Sequence, residues 1–213
     1  MSDEIIPERI DYGDRELNRE ALDDRPMMVF RDWMEEAVGA GIEEANAACL
    51  CTVDGSGHPD GRTILIKGVE EDGLLFYTNY QSRKGRQLQE CPRATLVLWW
   101  QSLRRQIRVS GLVKKLEAEQ SDQYFSSRPP ESRLGAWASL QSTPIANREV
   151  LETRLSEFEN RFSGEIPRPD YWGGYRLKPT RFEFWQGRDS RLHDRFEYAR
   201  GADGEWSINR LMP

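Results

Sequence analysis

RTILIKGVEEDGLLFYTN, residues 62–79, holds two apolar runs, RTILIKGV at 62–69 and GLLFYTN at 73–79, joined by the acidic turn EEDG. Runs rich in β-branched, aliphatic and aromatic residues read as strands, and a link this short leaves no room for a crossover helix, so the two strands are antiparallel. The same pattern continues on either side. NAACLCTVD at 46–54 reaches the first run through DGSGHPDG, again too short for a crossover, and ATLVLWW at 94–100 and RQIRVSGLVKKL at 105–116 follow. Closely spaced strands of this kind predict a mainly β fold with packed helices, a curled sheet or small barrel, rather than the strand and helix alternation of a doubly wound sheet.

The helices lie around these strands. PMMVFRDWMEEAV at 26–38 places Val29, Phe30, Trp33, Met34 and Ala37 on one face, with Pro26 near its start. SRKGRQLQEC at 82–91 reads as a short helix stopped before Pro92, and EAEQSDQYFSSR at 117–128 as another ending near Pro129 and Pro130. In 147–162, Leu151, Leu155, Phe158 and Phe162 recur at helical spacing behind an Asn147 cap. Further strands are expected in YRLKPTRFEFWQG, DRFEYAR and EWSINRLM, the last two joined by GADG. No repeat or low-complexity linker divides the chain, so residues 1–25 read as an arm and 26–213 as a single domain.

Length and charge narrow the function classes. The chain has 213 residues with Lys and Arg totalling 30 against 36 Asp and Glu, a formal net charge of -6 that opposes diffuse nucleic-acid binding while allowing a local anion site. Only 5 of the 30 basic residues are Lys. Cys49 and Cys51 share one strand face, which suits neither a disulfide framework nor a zinc site. No apolar stretch is long enough for a membrane helix and the N-terminus lacks a secretory pattern, so a soluble, reducing compartment, the cytoplasm, is expected.

The sharpest chemical signal is YTNYQSRKGRQL at 77–88. Ser82 is a good helix cap, yet Arg83 and Lys84 put two positive charges at the positive end of the helix; a bound phosphate resolves that conflict, and a solvated charge pair is the other reading. On the preceding strand Arg62, Ile64 and Ile66 share one face and Thr63, Leu65 and Lys67 the other. Gln106 adds an amide able to donate and accept. Tyr124, Arg128, Ser132, Arg191 and His193 supply the residue types that a phosphorylated aromatic substrate requires. Neither His58 nor His193 belongs to a metal pattern, and Ser132, Ser139 and Ser142 lie in no nucleophile elbow.

RTILIK, FYTNYQSRKGRQL, RRQIRVSG, YFSSRPPESRLGAW, LQS, YWGG and FEFWQGRDSRLHDRF occur in an order that closely resembles the pyridoxamine 5'-phosphate oxidase family, over roughly residues 9–213. The resemblance implies an FMN-binding split β-barrel that works as a homodimer and oxidises pyridoxamine 5'-phosphate or pyridoxine 5'-phosphate to pyridoxal 5'-phosphate, reducing O2 to H2O2. By motif it carries over an FMN set of Arg62, Thr63, Ile64, Leu65, Ile66, Lys67, Tyr77, Thr78, Ser82, Arg83, Lys84, Gln106, Gln141, Ser142, Trp185 and Arg195. The implied substrate set is Lys67, Tyr124, Arg128, Ser132, Arg191, Leu192 and His193, with Arg9 and Tyr12 as an N-terminal cover and Arg191 and His193 as catalytic groups. No nucleic acid, membrane or metal partner is implied. The alternatives are a noncatalytic FMN or pyridoxal-phosphate binding protein and another split-barrel flavin oxidoreductase.

Overall fold

The computed structural model describes residues 11–13 and 15–213. Their order is α1 (Pro26–Gly39), β1 (Ala47–Val53), β2 (Pro59–Leu65), β3 (Gly68–Glu70), β4 (Gly73–Asn79), α2 (Arg83–Glu90), β5 (Arg93–Trp100), β6 (Arg105–Lys115), α3 (Ala118–Ser126), α4 (Pro130–Ala138), α5 (Arg148–Arg161), β7 (Trp172–Gln186), β8 (Asp194–Arg200) and β9 (Trp206–Arg210). The class is mainly β with helices, as the sequence predicts. Strands hydrogen-bond in the order β2-β1-β5-β6-β7-β4-β3, and β8 joins β7 to β9. Two compact units emerge. One contains the described residues up to Ala45 with Val97–Val109 and Arg181–Pro213; the other contains Asn46–Leu96 and Ser110–Thr180.

In the first unit, Pro26 opens α1 where its missing N–H costs nothing, and Val29, Phe30, Trp33 and Ala37 form the buried stripe. Trp33 meets Phe184 edge to face at 5.3 Å. Arg105, almost wholly buried, lies over the Trp33 ring at 4.2 Å and pairs with Glu36 at 2.6 Å, so its charge is matched before it is buried. The C-terminal half of β7 pairs with β8 from Arg181↔Ala199 to Gln186↔Asp194.

The second unit carries the antiparallel pairs expected from the short links. β1 and β2 run from Ala47↔Leu65 to Val53↔Pro59, and β3 and β4 from Gly68↔Leu75 to Glu70↔Gly73. Leu50, Leu74, Phe76, Leu96 and Leu177 are fully buried there. RTILIKGV is nevertheless not one strand. The Ile66 N–H still bonds to Asn46, but the Lys67 N–H bonds to Leu75 at 2.7 Å, so the chain changes partner between these two residues. The segment after α3 also differs from expectation, because Pro130 begins α4 instead of merely ending a helix. Asn147 caps α5 by accepting from the Val150 N–H, and Phe158 and Phe162 pack on Trp137 of α4 at 5.5 and 5.3 Å.

Candidate active site

Two sets of the expected site residues are organised, each within its own unit. In the second unit, Ser82 Oγ accepts the Gly85 N–H and donates to the Asn79 carbonyl, closing the turn into α2. Its hydroxyl is therefore committed to shaping the turn. A Cβ on Gly85 would stand 2.2 Å from the Tyr80 carbonyl oxygen, so this tight turn admits only glycine. The turn directs Lys84 towards Thr78 of β4 and Gln141 of the loop after α4, where Nζ donates to Gln141 Oε1 at 2.7 Å and to Thr78 Oγ1 at 3.4 Å. Burial, and then the neighbouring Arg62 guanidinium, pull the Lys84 ammonium down to about 8, with Asp60 opposing them. A lysine held this way favours an added anion.

Arg62 is fixed by the Leu50 carbonyl at 3.0 Å, Thr52 Oγ1 at 2.5 Å, Gln87 Oε1 at 3.1 Å and the Asp60 carboxylate at 2.6 Å. Thr52, Gln87 and Asp60 escaped the sequence reading, because nothing local to them signals a guanidinium partner arriving from another element. Arg83 lines a cavity of about 400 Å³ with Asp54, His58, Asp60, Arg86 and Glu90. Ile64 and Leu65 are half-buried and Ile66 is buried, whereas Thr63 and Lys67 are exposed, as are Gln141 and Ser142.

On the other face of β4, Tyr77 stacks on Tyr124 with ring centroids 3.7 Å apart, and Trp172 extends the stack. Arg128 lies over the Trp172 ring at 4.6 Å. One of its terminal nitrogens is buried with no hydrogen-bond partner, and burial lowers the guanidinium's pKa. Leaving such a donor unmet is costly, so this is a second position that favours an anion. Burial raises both tyrosine pKa values, which keeps the phenols protonated as donors. Ser132 is exposed in the first turn of α4.

In the first unit, His193 lies 4.5 Å from Trp185 and 5.7 Å from Tyr12, centroid to centroid, and Trp99 meets Trp185 at 5.8 Å. His193 Nδ1 accepts the Arg188 backbone N–H at 3.1 Å, which assigns the ring proton to Nε2. Burial, followed by Arg191 and Arg195, lowers the His193 pKa, so the ring is neutral near pH 7. Ser190 and Arg191 take left-handed backbone angles, φ 55° and 62°. Two successive non-glycine residues in that region store strain and project the exposed Arg191 from the turn. Leu192 is also exposed and Gln106 is half-buried on β6. Arg195 is held by the buried Glu183, which also pairs with Arg108. Arg9 lies outside the described residues.

A family model described as pyridoxamine 5'-phosphate oxidase matches residues 34–162, and a second, pyridoxine 5'-phosphate oxidase C-terminal dimerisation region, matches 172–213. The chain belongs to the pyridoxamine 5'-phosphate oxidase family. A pyridoxine/pyridoxamine 5'-phosphate oxidase of Cupriavidus metallidurans is 54% identical over 88% of this chain and 89% of that protein. One from Nostoc punctiforme is 48% identical over the full length of both. Among solved structures, PhzG from Burkholderia lata, in complex with tetrahydrophenazine-1-carboxylic acid, matches with TM-score 0.89 and 30% identity over 95% of this chain and 100% of that one. A pyridoxamine 5'-phosphate oxidase-related, FMN-binding protein of Nostoc punctiforme has the same fold at TM-score 0.69 and 22% identity, covering 86% of this chain and 97% of its own. These matches bear out the family's split-barrel class expected from the sequence. Among the described residues no helix is long and apolar enough to cross a membrane.

Proposed function

We propose that the chain is an FMN-dependent oxidase that converts pyridoxine 5'-phosphate or pyridoxamine 5'-phosphate to pyridoxal 5'-phosphate with O2 as the final acceptor. The observation that carries this reading is a pair of half-buried cations, Lys84 lodged between Thr78 and Gln141 and Arg128 with one terminal nitrogen lacking a partner. Thr78 beside Lys84 and Tyr77 beside the Arg128 stack are consecutive on β4 and point to opposite faces, which makes two anion seats rather than one. An enzyme that joins a phosphorylated flavin to a phosphorylated substrate needs two.

The donors fit FMN. Lys84 and Arg62 supply positive charge at the start of α2, where helix N–H groups add further donors to a phosphate. Bound FMN would take the hydride from the substrate C4' carbon and deliver the electrons to O2. Arg128 and the Tyr124 hydroxyl hold the substrate phosphate, with Ser132 at the start of α4. His193 offers its Nε2 proton as a neutral donor, Arg191 supplies a cation beside the pyridine ring, and Trp185 and Tyr12 shield the reacting face from water. The functional unit is a homodimer, a reading supported by the dimerisation region matched at 172–213.

The test is aerobic turnover of the purified, flavin-loaded protein with each phosphorylated vitamer, following pyridoxal 5'-phosphate, H2O2 and O2 together. One aldehyde formed per H2O2 is expected. A folded, yellow protein that turns over neither vitamer would overturn the reading in favour of a flavin binder or another flavin oxidoreductase.

A further inference from the structure

We infer that Asp189 is a positioning residue that fixes the N-terminal arm on the loop carrying Arg191 and His193, and so sets Tyr12 against His193. This rests on the assignment of those three residues to the substrate. Asp189 Oδ1 accepts the backbone N–H of Tyr12 at 2.8 Å and of Gly13 at 2.7 Å. The Asp189 N–H returns a bond to the Gly13 carbonyl at 3.2 Å. Three bonds thus join segments far apart in sequence, and two of them end on one carboxylate oxygen, where the negative charge strengthens both.

The surroundings are shaped for the same contact. A Cβ on Gly187 would stand 2.7 Å from the Tyr12 ring, so this glycine leaves the slot the ring occupies. The Arg104 guanidinium lies 5.0 Å from the ring centroid. Farther along, the arm is tied by the Leu17 N–H to buried Asp194 at 3.0 Å and by Glu16 to Arg188 at 3.1 Å. Those ties begin at Glu16; Tyr12 and Gly13, and Arg15 to Asn18, have no regular secondary structure. Backbone without a ladder or helix of its own is ordered only where something holds it, and the Tyr12 and Gly13 backbone is held by Asp189. Because Ser190 and Arg191 follow immediately in left-handed geometry, one side chain connects the arm to the root of the strained turn.

The experiment compares Asp189→Ala, Asp189→Asn and Tyr12→Ala in the full, flavin-loaded chain. Asp189→Ala should raise KM for pyridoxine 5'-phosphate about tenfold, the scale of losing two modest hydrogen bonds, while FMN affinity and melting temperature stay at the parent values. Asp189→Asn keeps the oxygen acceptor and should recover most of the loss. In the Tyr12→Ala background, Asp189→Ala should change KM less than about twofold, because a residue acting through Tyr12 has little left to act on. An unchanged KM in the single variant, a full independent loss in the double variant, or an Asn variant as impaired as Ala would overturn the inference. If the parent oxidises neither vitamer, the substrate reading fails by itself and trypsin cleavage at Arg15 reads the arm directly. Faster cleavage in Asp189→Ala then supports the anchor, and equal rates refute it.

Discussion

His193 Nδ1 accepts the Arg188 backbone N–H at 3.1 Å, so protonating this ring at Nδ1 would set one N–H against another. Its pKa already lies below the ordinary histidine value, because of burial and the charges of Arg191 and Arg195. In the unfolded chain the ring binds its proton first as pH falls. The stability held by the neutral ring is therefore complete above the usual histidine pKa of about 6.5 and is lost as pH drops through the lowered folded value. We expect kcat/KM to fall on the acid side with an apparent pKa below that of free histidine. His193→Asn should remove that limb, and a pH profile with the same acid limb in the variant would exclude His193 as its source.

Lys84 gives the opposite pH signature. With a pKa brought down to about 8, it is losing its proton at mildly alkaline pH in the free protein. Phosphate beside it raises that value again, so FMN binding above pH 8 should take up a proton and weaken as pH rises. Calorimetry in two buffers of different ionisation enthalpy measures the uptake. Lys84→Met should abolish it and weaken FMN binding, leaving the substrate KM of the flavin-saturated enzyme within about twofold of the parent if the two anion seats act independently.

Arg128→Gln removes a charge from the second seat. The expected effect is a roughly 10–100-fold rise in KM for the phosphorylated vitamers, the range of a charge-assisted hydrogen bond. FMN affinity should hold. Any turnover of unphosphorylated pyridoxine, which has no phosphate for Arg128 to hold, should be the same in the parent and the variant, and steady-state kinetics with both compounds checks this.

Gly85→Ala probes the turn into α2, where the added methyl would meet the Tyr80 carbonyl at 2.2 Å. Relief requires backbone movement, for which a loss of about 1–3 kcal/mol is expected, or several degrees in melting temperature. FMN affinity should fall with it, since the same turn aims Lys84. Calorimetric melting with and without FMN separates the two effects.

Much of this organisation is legible in the sequence where the signal is local. The Ser82 cap, the α1 stripe and the antiparallel links at DGSGHPDG and EEDG follow from neighbouring residues alone. The break at Ile66–Lys67 does not, because RTILIKGV is uniformly strand-like and only the competing carbonyls of Asn46 and Leu75 divide it. Helix α4 was hidden behind Pro129 and Pro130, since a proline that ends one helix can equally begin the next. The left-handed pair Ser190 and Arg191 carries no glycine to announce it. Asp189 and Glu183 act on partners distant in the chain, and periodicity carries no information about those.

The most direct test of the proposed chemistry is anaerobic mixing of the flavin-loaded protein with pyridoxine 5'-phosphate, with flavin absorbance and product followed together. Bleaching of the oxidised flavin band with one equivalent of pyridoxal 5'-phosphate per flavin, and return of the colour on adding O2, is the expected result. A flavin that stays oxidised at saturating substrate, in a protein shown to bind that substrate, would contradict it.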